Sequence, residues 1–273
     1  MPLKNRLFAL LPVFAFVLCA TSLAYSQVVT QNVGTSGVVD WSRQSIRATG
    51  IGAPRPDDPP GAQRINAIRV AKTDAFRNLL ETVKGVNVTS ETTVRNAMVE
   101  NDVINTRVDG FVRGFTVVDT RYMSDQSIEV EIEVSLAGLA DIFMPKAPEA
   151  TTPAASAAPQ GAFTGLIVDA KGLGVMPAMA PKIEDENGNE VYGSKHVSRE
   201  WAVRQGVVGY EKDLTAARNN QRVTTNPLVI KAVKASGPNK SDVVISSADA
   251  QRLQQAAQHQ NFLDHCRVMF LLD

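Results

Sequence analysis

Written in a line, Asp264-His265-Cys266 reads as an acid, a base and a thiol nucleophile. If these residues lie on a strand, successive side chains point to opposite faces, so His265 and Cys266 make a poor dyad. Cys266 is therefore expected to be a buried structural cysteine. The three histidines, His196, His259 and His265, show no pair at the spacing of a zinc-binding helix motif. Gly172-Leu173-Gly174 after a strand-like segment suggests a phosphate loop. It lacks a third glycine, and Pro177 falls where a helix would offer its free amides, so a tight turn is expected. Glu184-Asp185-Glu186-Asn187-Gly188-Asn189-Glu190 resembles part of a calcium loop, but Glu190 occupies the sixth position, which such a loop reserves for glycine. A solvated hairpin tip fits better.

Glu129, Glu131 and Glu133 alternate with Ile128, Val130, Ile132 and Val134. On a strand the carboxylates would stand roughly 7 Å apart on one face. Paired-carboxylate hydrolases use such a distance, but they set their acids across a cleft and raise one pKa. A row beside Arg113 or Arg121 is expected to be a solvated, charge-paired face instead. These patterns predict no catalytic residue, no cofactor-binding residue and no metal ligand, and so a protein that is not an enzyme and carries no cofactor.

The elements around these residues fall into two units. Lys4 and Arg6, the apolar run Leu7 to Ala20 and the small residues Ala24 and Ser26 form a secretory leader, with cleavage expected after Ser26 and a mature start at Gln27. The run is shorter than the roughly 20 residues of a spanning helix and contains Pro12. Phe16-Val17-Leu18 before Cys19 is too bulky for a lipidation site. Residues 147–160, rich in Pro, Ala and Thr, have linker composition and separate a first domain, 27–146, from a second, 161–273. Such a semi-rigid linker would let two modules engage two sites at once.

In the first domain, Gln44 to Gly52 reads as a strand. Ile65, Ile68, Ala71, Ala75, Leu79 and Val83 mark a helix over 62–84, stopped by Lys84 and Gly85. Val86 to Val94 is strand-like, 96–105 a weaker helix, and 111–136 a hairpin turning at Ser124-Asp125-Gln126. In the second, strands are expected over 163–170, 228–235 and 243–246, with short helices near 198–205 and 212–220. A tight hairpin is expected at Asn187-Gly188 and a capped helix from Ser246 to about His259. The apolar run from Val268 to Leu272 predicts a strand covered on both faces. The fold class is α+β, as two small domains, each a short, mostly antiparallel sheet packed against one or two helices.

Composition excludes some partners. Losing Lys4 and Arg6 with the leader turns 28 basic against 28 acidic residues into 26 against 28, which offers no general attraction to nucleic acid. Aromatic residues make up 6% of the chain, too few for a base-stacking or sugar-binding surface. With Cys266 alone after processing, no internal disulfide can form.

The segment Asn66 to Glu81, with Gly85-Val86-Asn87-Val88 and Val108 to Phe115, resembles the twenty-kilodalton surface lipoprotein family of bacteria. It is also similar to the N-terminal domain of flagellar assembly protein T. The resemblance spans Ile46 to Leu136. It implies an exported, non-catalytic binding or assembly protein of the periplasm, working with other envelope or flagellar basal-body proteins and associated peripherally with the outer membrane. The second domain, through Thr164 to Ala170 and Asn226 to Ala232, looks like a companion module of such proteins. The alternative is a periplasmic small-ligand carrier or hydrolase with its site between the domains.

Overall fold

The computed structural model describes residues 28–144, 163–257 and 260–273. The leader, the linker 147–160 and His259 lie outside the described residues. The first unit opens with β1 (Thr30–Val33), β2 (Gly37–Asp40) and β3 (Ser45–Gly52), followed by the long helix α1 (Pro60–Lys84). Two short helices follow, α2 (Val94–Glu100) and α3 (Asp102–Arg113), then the hairpin β4 (Thr116–Tyr122) and β5 (Ile128–Ser135), and α4 (Leu136–Phe143). The five strands run β1-β2-β3-β5-β4, antiparallel throughout.

α1 starts with Pro60, whose fixed φ suits the first helical turn and whose missing N–H costs nothing there. Its buried face is Ala67, Ala71, Ala75, Leu79 and Val83. Ile65, expected inside, is 53% exposed; Ala67 takes the inward place. The small residues matter because the helix backbone lies directly on β3. A Cβ added to Gly50 would sit 2.0 Å from the Ala75 nitrogen, and one added to Gly52 would sit 2.1 Å from the Ala67 carbonyl oxygen. Glycine on the strand and alanine on the helix let the two backbones approach where larger side chains would hold them apart.

Three expectations need correction here. Phe111 to Arg113 continue α3 instead of opening a strand: Asn101 accepts hydrogen bonds from the amides of Val103 and Ile104, and Val108 and Val112 are buried. The weak helix over 96–105 is two helices broken at Asn101. Of the strand expected over Val86 to Val94, residues 86–93 form a loop with a single bridge between Asn87 and Thr93, and Val94 opens α2. The turn of the hairpin lacks glycine but is met by Gln126 at φ 68° and by Asp125, whose carboxylate accepts from Ser127.

The second unit holds seven strands: β6 (Gly165–Asp169), β7 (Ile183–Glu184), β8 (Glu190–Tyr192), β9 (Gly209–Glu211), β10 (Pro227–Ser236), β11 (Asp242–Ile245) and β12 (Val268–Leu271). Its helices are α5 (Arg199–Gln205), α6 (Leu214–Asn219) and α7 (Ser247–Ala257). The order is β8-β7-β11-β10-β6-β12-β9. The whole is the expected α+β fold in two units, but this sheet is not mostly antiparallel. β6 pairs parallel with both β10 and β12, and β12–β9 and β11–β7 are parallel too. Among the described residues of this unit, β10–β11 and β7–β8 are the antiparallel pairs. β12 sits inside the sheet, every residue buried, which explains its unbroken apolar run. At Asn187-Gly188 only Gly188 has positive φ, so the turn is not the tight form that needs two such residues.

The two units are packed against each other. Buried apolar side chains of both units form one continuous core. Trp41 meets Tyr210 edge-on at 5.6 Å, and Ser42 Oγ donates to the Tyr210 carbonyl at 3.1 Å. The loop after α1 is stitched on by main-chain bonds from Met179, Ala180 and Asn239 to the carbonyls of Asn87, Val88 and Ser90. Asp242, buried in the second unit, accepts from Ser90 Oγ and from the Lys182 amide at 2.8 Å.

Burial raises the Asp242 pKa above its ordinary 3.8. A raised folded-state value means that Asp242 costs nothing below pH 3.8 and destabilises progressively as pH rises through its folded pKa. Asp242→Asn keeps both hydrogen-bonding positions without the charge. Urea unfolding is expected to show the wild type losing ground to this variant as pH is raised from 4 to 7. A constant difference across that range would show that Asp242 carries no such penalty.

Candidate functional site

The thiol of Cys266 is fully buried, and Cys266 stands at φ 53° in a turn, not on a strand. Its side-chain neighbour is the Tyr192 phenol, itself buried and donating to the Val207 carbonyl at 2.7 Å. Burial pushes the thiol up to about 12, well above the usual value. The thiolate fraction at neutral pH is then on the order of 10⁻⁵, far below that of an activated cysteine. His265 packs its ring on Trp201 at 5.0 Å, and its Nε2 lies 3.9 Å from an Asp264 oxygen. In the folded protein, labelling by an aromatic disulfide reagent at pH 7 is expected only as fast as the protein opens. Rapid stoichiometric labelling without denaturant would overturn this account.

Each carboxylate of the β5 row meets a guanidinium. Glu129 pairs with Arg121 at 3.0 Å, Glu131 lies 3.4 Å from Arg121 and 3.6 Å from Arg47, and Glu133 pairs with Arg47. Arg121 was one of the two expected partners. The other, Arg113, stacks over the Phe76 ring instead. Arg47 arrives from β3, which register places directly opposite Glu133.

Gly172 and Gly174 take positive φ in a turn, with the Gly172 amide donating to an Asp273 carboxylate oxygen at 2.8 Å. In the acidic stretch, Asp185 accepts from the amides of Asn187 and Asn189 and from the Asn189 side chain, which holds its pKa below the usual range. Glu186 accepts from the amide and hydroxyl of Ser247 and so caps α7. These oxygens are used in holding the hairpin and helix together. His196, in the 3-10 turn Ser194–His196, lies 3.4 Å from Glu190. Among the described residues, no three His, Cys, Asp or Glu side chains are grouped to hold a metal ion.

What the structure brings together, and the sequence pattern did not signal, is a cleft where the two units meet. Trp41, Ser42 and Gln44 form one wall, and Gln205, Tyr210 and Arg222 belong to the other; the volume is about 230 Å³. Arg222 donates to the carbonyls of Gly206 and Cys266, both at 3.0 Å, and to that of Gln205. Burial lowers its pKa. Such a guanidinium, bonded to three carbonyls, ties the α5–β9 connection to the turn before β12. Only long-range packing assembles this group.

Two packed α+β units, one under a long Ala-rich helix and one around a mixed sheet, define the class of protein. Residues 42–135 match the model of the LPP20 lipoprotein family. Residues 165–273 match the model described as the second domain of Treponema pallidum Tp0624. The first match covers nearly all of the span on which the resemblance to the twenty-kilodalton surface lipoproteins rests; neither match concerns flagellar assembly protein T. No curated protein matches the chain.

Proposed function

We propose that this is an exported, non-catalytic protein of the cell envelope that acts by binding and helping to assemble other envelope components. The carrying observation is the match of residues 42–135 to the LPP20 lipoprotein family, whose name places such proteins at the envelope. The leader-like residues 1–26 agree with export and favour a mature start at Gln27 in the periplasm, with peripheral outer-membrane association. A flagellum-associated role, with basal-body proteins as partners, is the narrower form of this proposal. The engagement of Cys266, Glu129, Glu131, Glu133, Asp185 and Glu186 with structural neighbours supports a role in contacts over one in chemistry.

The rival reading, a small-ligand carrier or hydrolase with its site between the domains, would use the cleft beside Arg222. Its volume of about 230 Å³ lies under the roughly 300 Å³ at which ligand pockets begin. The test is fractionation of cells producing the protein, followed by crosslinking in the periplasm and a swimming assay of a deletion strain. The expected result is a processed protein in the envelope fraction, crosslinked to envelope proteins. A cytoplasmic, unprocessed protein, or a deletion rescued by a metabolite, would overturn the proposal. Normal swimming in the deletion strain would remove the flagellar form alone.

A further inference from the structure

Independently of that reading, the free side of β4 has the chemistry to pair with itself. Among the described residues, β4 is the last strand of its sheet, bonded to β5 on one side only. Its exposed side chains include Val118 at 41%, Tyr122 at 57% and, just beyond the strand, Met123 at 49%. The Thr120 amide does not donate to β5. It donates at 2.7 Å to the carboxylate of Asp119, so the main-chain groups of Thr120 face outward. The other oxygen of Asp119 accepts from Arg121 Nε at 2.9 Å. Asp119 and Arg121 share one face, since register sets them opposite Glu131 and Glu129. The bulge between Val117 and Asp119 limits the regular part of the edge to Asp119 and the residues after it.

We propose that two copies of this chain associate about a two-fold axis by antiparallel pairing of their β4 strands, Thr120 against Thr120 of the second copy. Charge selects that register. Centred on Asp119 or on Arg121, the pairing would set like charges face to face. Centred on Thr120, it sets Asp119 opposite Arg121 of the second copy, twice, in the close pairs that flank a hydrogen-bonded pair. Thr120 then exchanges its outward N–H and C=O with its symmetry mate. On pairing, the Asp119 carboxylate leaves the Thr120 amide for the opposite arginine, so in the monomer it guards the edge and in the dimer it fixes the register. The contact is self-complementary and closes, as a two-fold requires. The three regularly paired residues, Asp119 to Arg121, make a small interface, so the dimer is reversible and weakened by salt.

The test is sedimentation velocity of the mature protein up to about 0.5 mM, in the affinity range of small interfaces, with circular dichroism to check folding. The wild type is expected to show a concentration-dependent dimer. Asp119→Lys and Arg121→Glu should each dimerise at least about tenfold more weakly, because two opposite-charge pairs become two like-charge pairs. Mixed one to one, the two variants should form a heterodimer, since each supplies the charge that the other lacks. Thr120→Pro removes an amide that β5 does not use, and should abolish the dimer without unfolding the protein. It also keeps the test intact should Arg121→Glu fail to fold beside Glu129 and Glu131. A wild type that stays monomeric throughout, a Thr120→Pro protein that dimerises normally, or folded charge variants that form no heterodimer would each overturn the proposal. An edge occupied instead by a strand from another envelope protein would appear as the first of these.

Discussion

Leu79→Asp is expected to abolish the folded state. Leu79 is fully buried on the face of α1 that rests on the sheet, four residues after Ala75 and four before Val83. Removing the side chain alone would cost about 2–5 kcal/mol, and the substitution adds a carboxylate with no cation in the surrounding apolar core. A protein of this size has roughly 5–15 kcal/mol to lose. Because both units share a core, the loss should spread beyond the first sheet. Circular dichroism and the recovered soluble yield would report it, and a cooperative thermal transition near the wild-type midpoint would show that Leu79 is not where the structure puts it.

Gly50→Ala, a single added methyl, is expected to act almost as strongly. The new carbon would lie 2.0 Å from one main-chain atom of α1 and 2.4 Å from another. Side chains can turn away from an intruder, whereas helix backbone must move as a unit. The usual cost of overpacking is about 1–3 kcal/mol, and the rigid neighbours place this case at or above the upper end. Gly61→Ala is the matched control. It sits in the first turn of the same helix with open space around it, and should be neutral or stabilising by up to about 1 kcal/mol. Urea unfolding of both variants decides the matter: equal effects would mean that the close approach of β3 to α1 does not govern position 50.

The same helix shows what a sequence can reveal. Its apolar residues recur at helical spacing over about five turns, enough repetition to mark both ends within two residues. β5 is as plain, because alternation of valine and isoleucine with glutamate admits no other fold. The misreadings fall where local signals compete. Phe111 and Val112 have strand propensity, but Asn101 caps a helix whose Val108 and Val112 find a core, and tertiary burial wins. β1 and β2 are four residues each, too short for any period to show.

The cleft and the junction left no trace in the sequence for a different reason. Ser90 meets Asp242 across 152 positions and Ser42 meets Tyr210 across 168. Each of these residues alone is an ordinary serine, aspartate or tyrosine. The parallel order of the second sheet has the same origin, since β6 finds both of its neighbours far along the chain.

The stitched junction between the units changes how the molecule can hold a partner. A leash lets two hands search separately, and its length sets how strongly the second grip follows the first. Here Trp41 against Tyr210, and the loop Asn87 to Ser90 against its neighbours, make the two halves one solid. Any two contact points on opposite halves then stand at a constant spacing and angle, so under the binding role proposed above the protein would measure a target as calipers locked at one setting do. A target that missed that setting would gain nothing from the second half, so fit, and not reach, would decide what it could join.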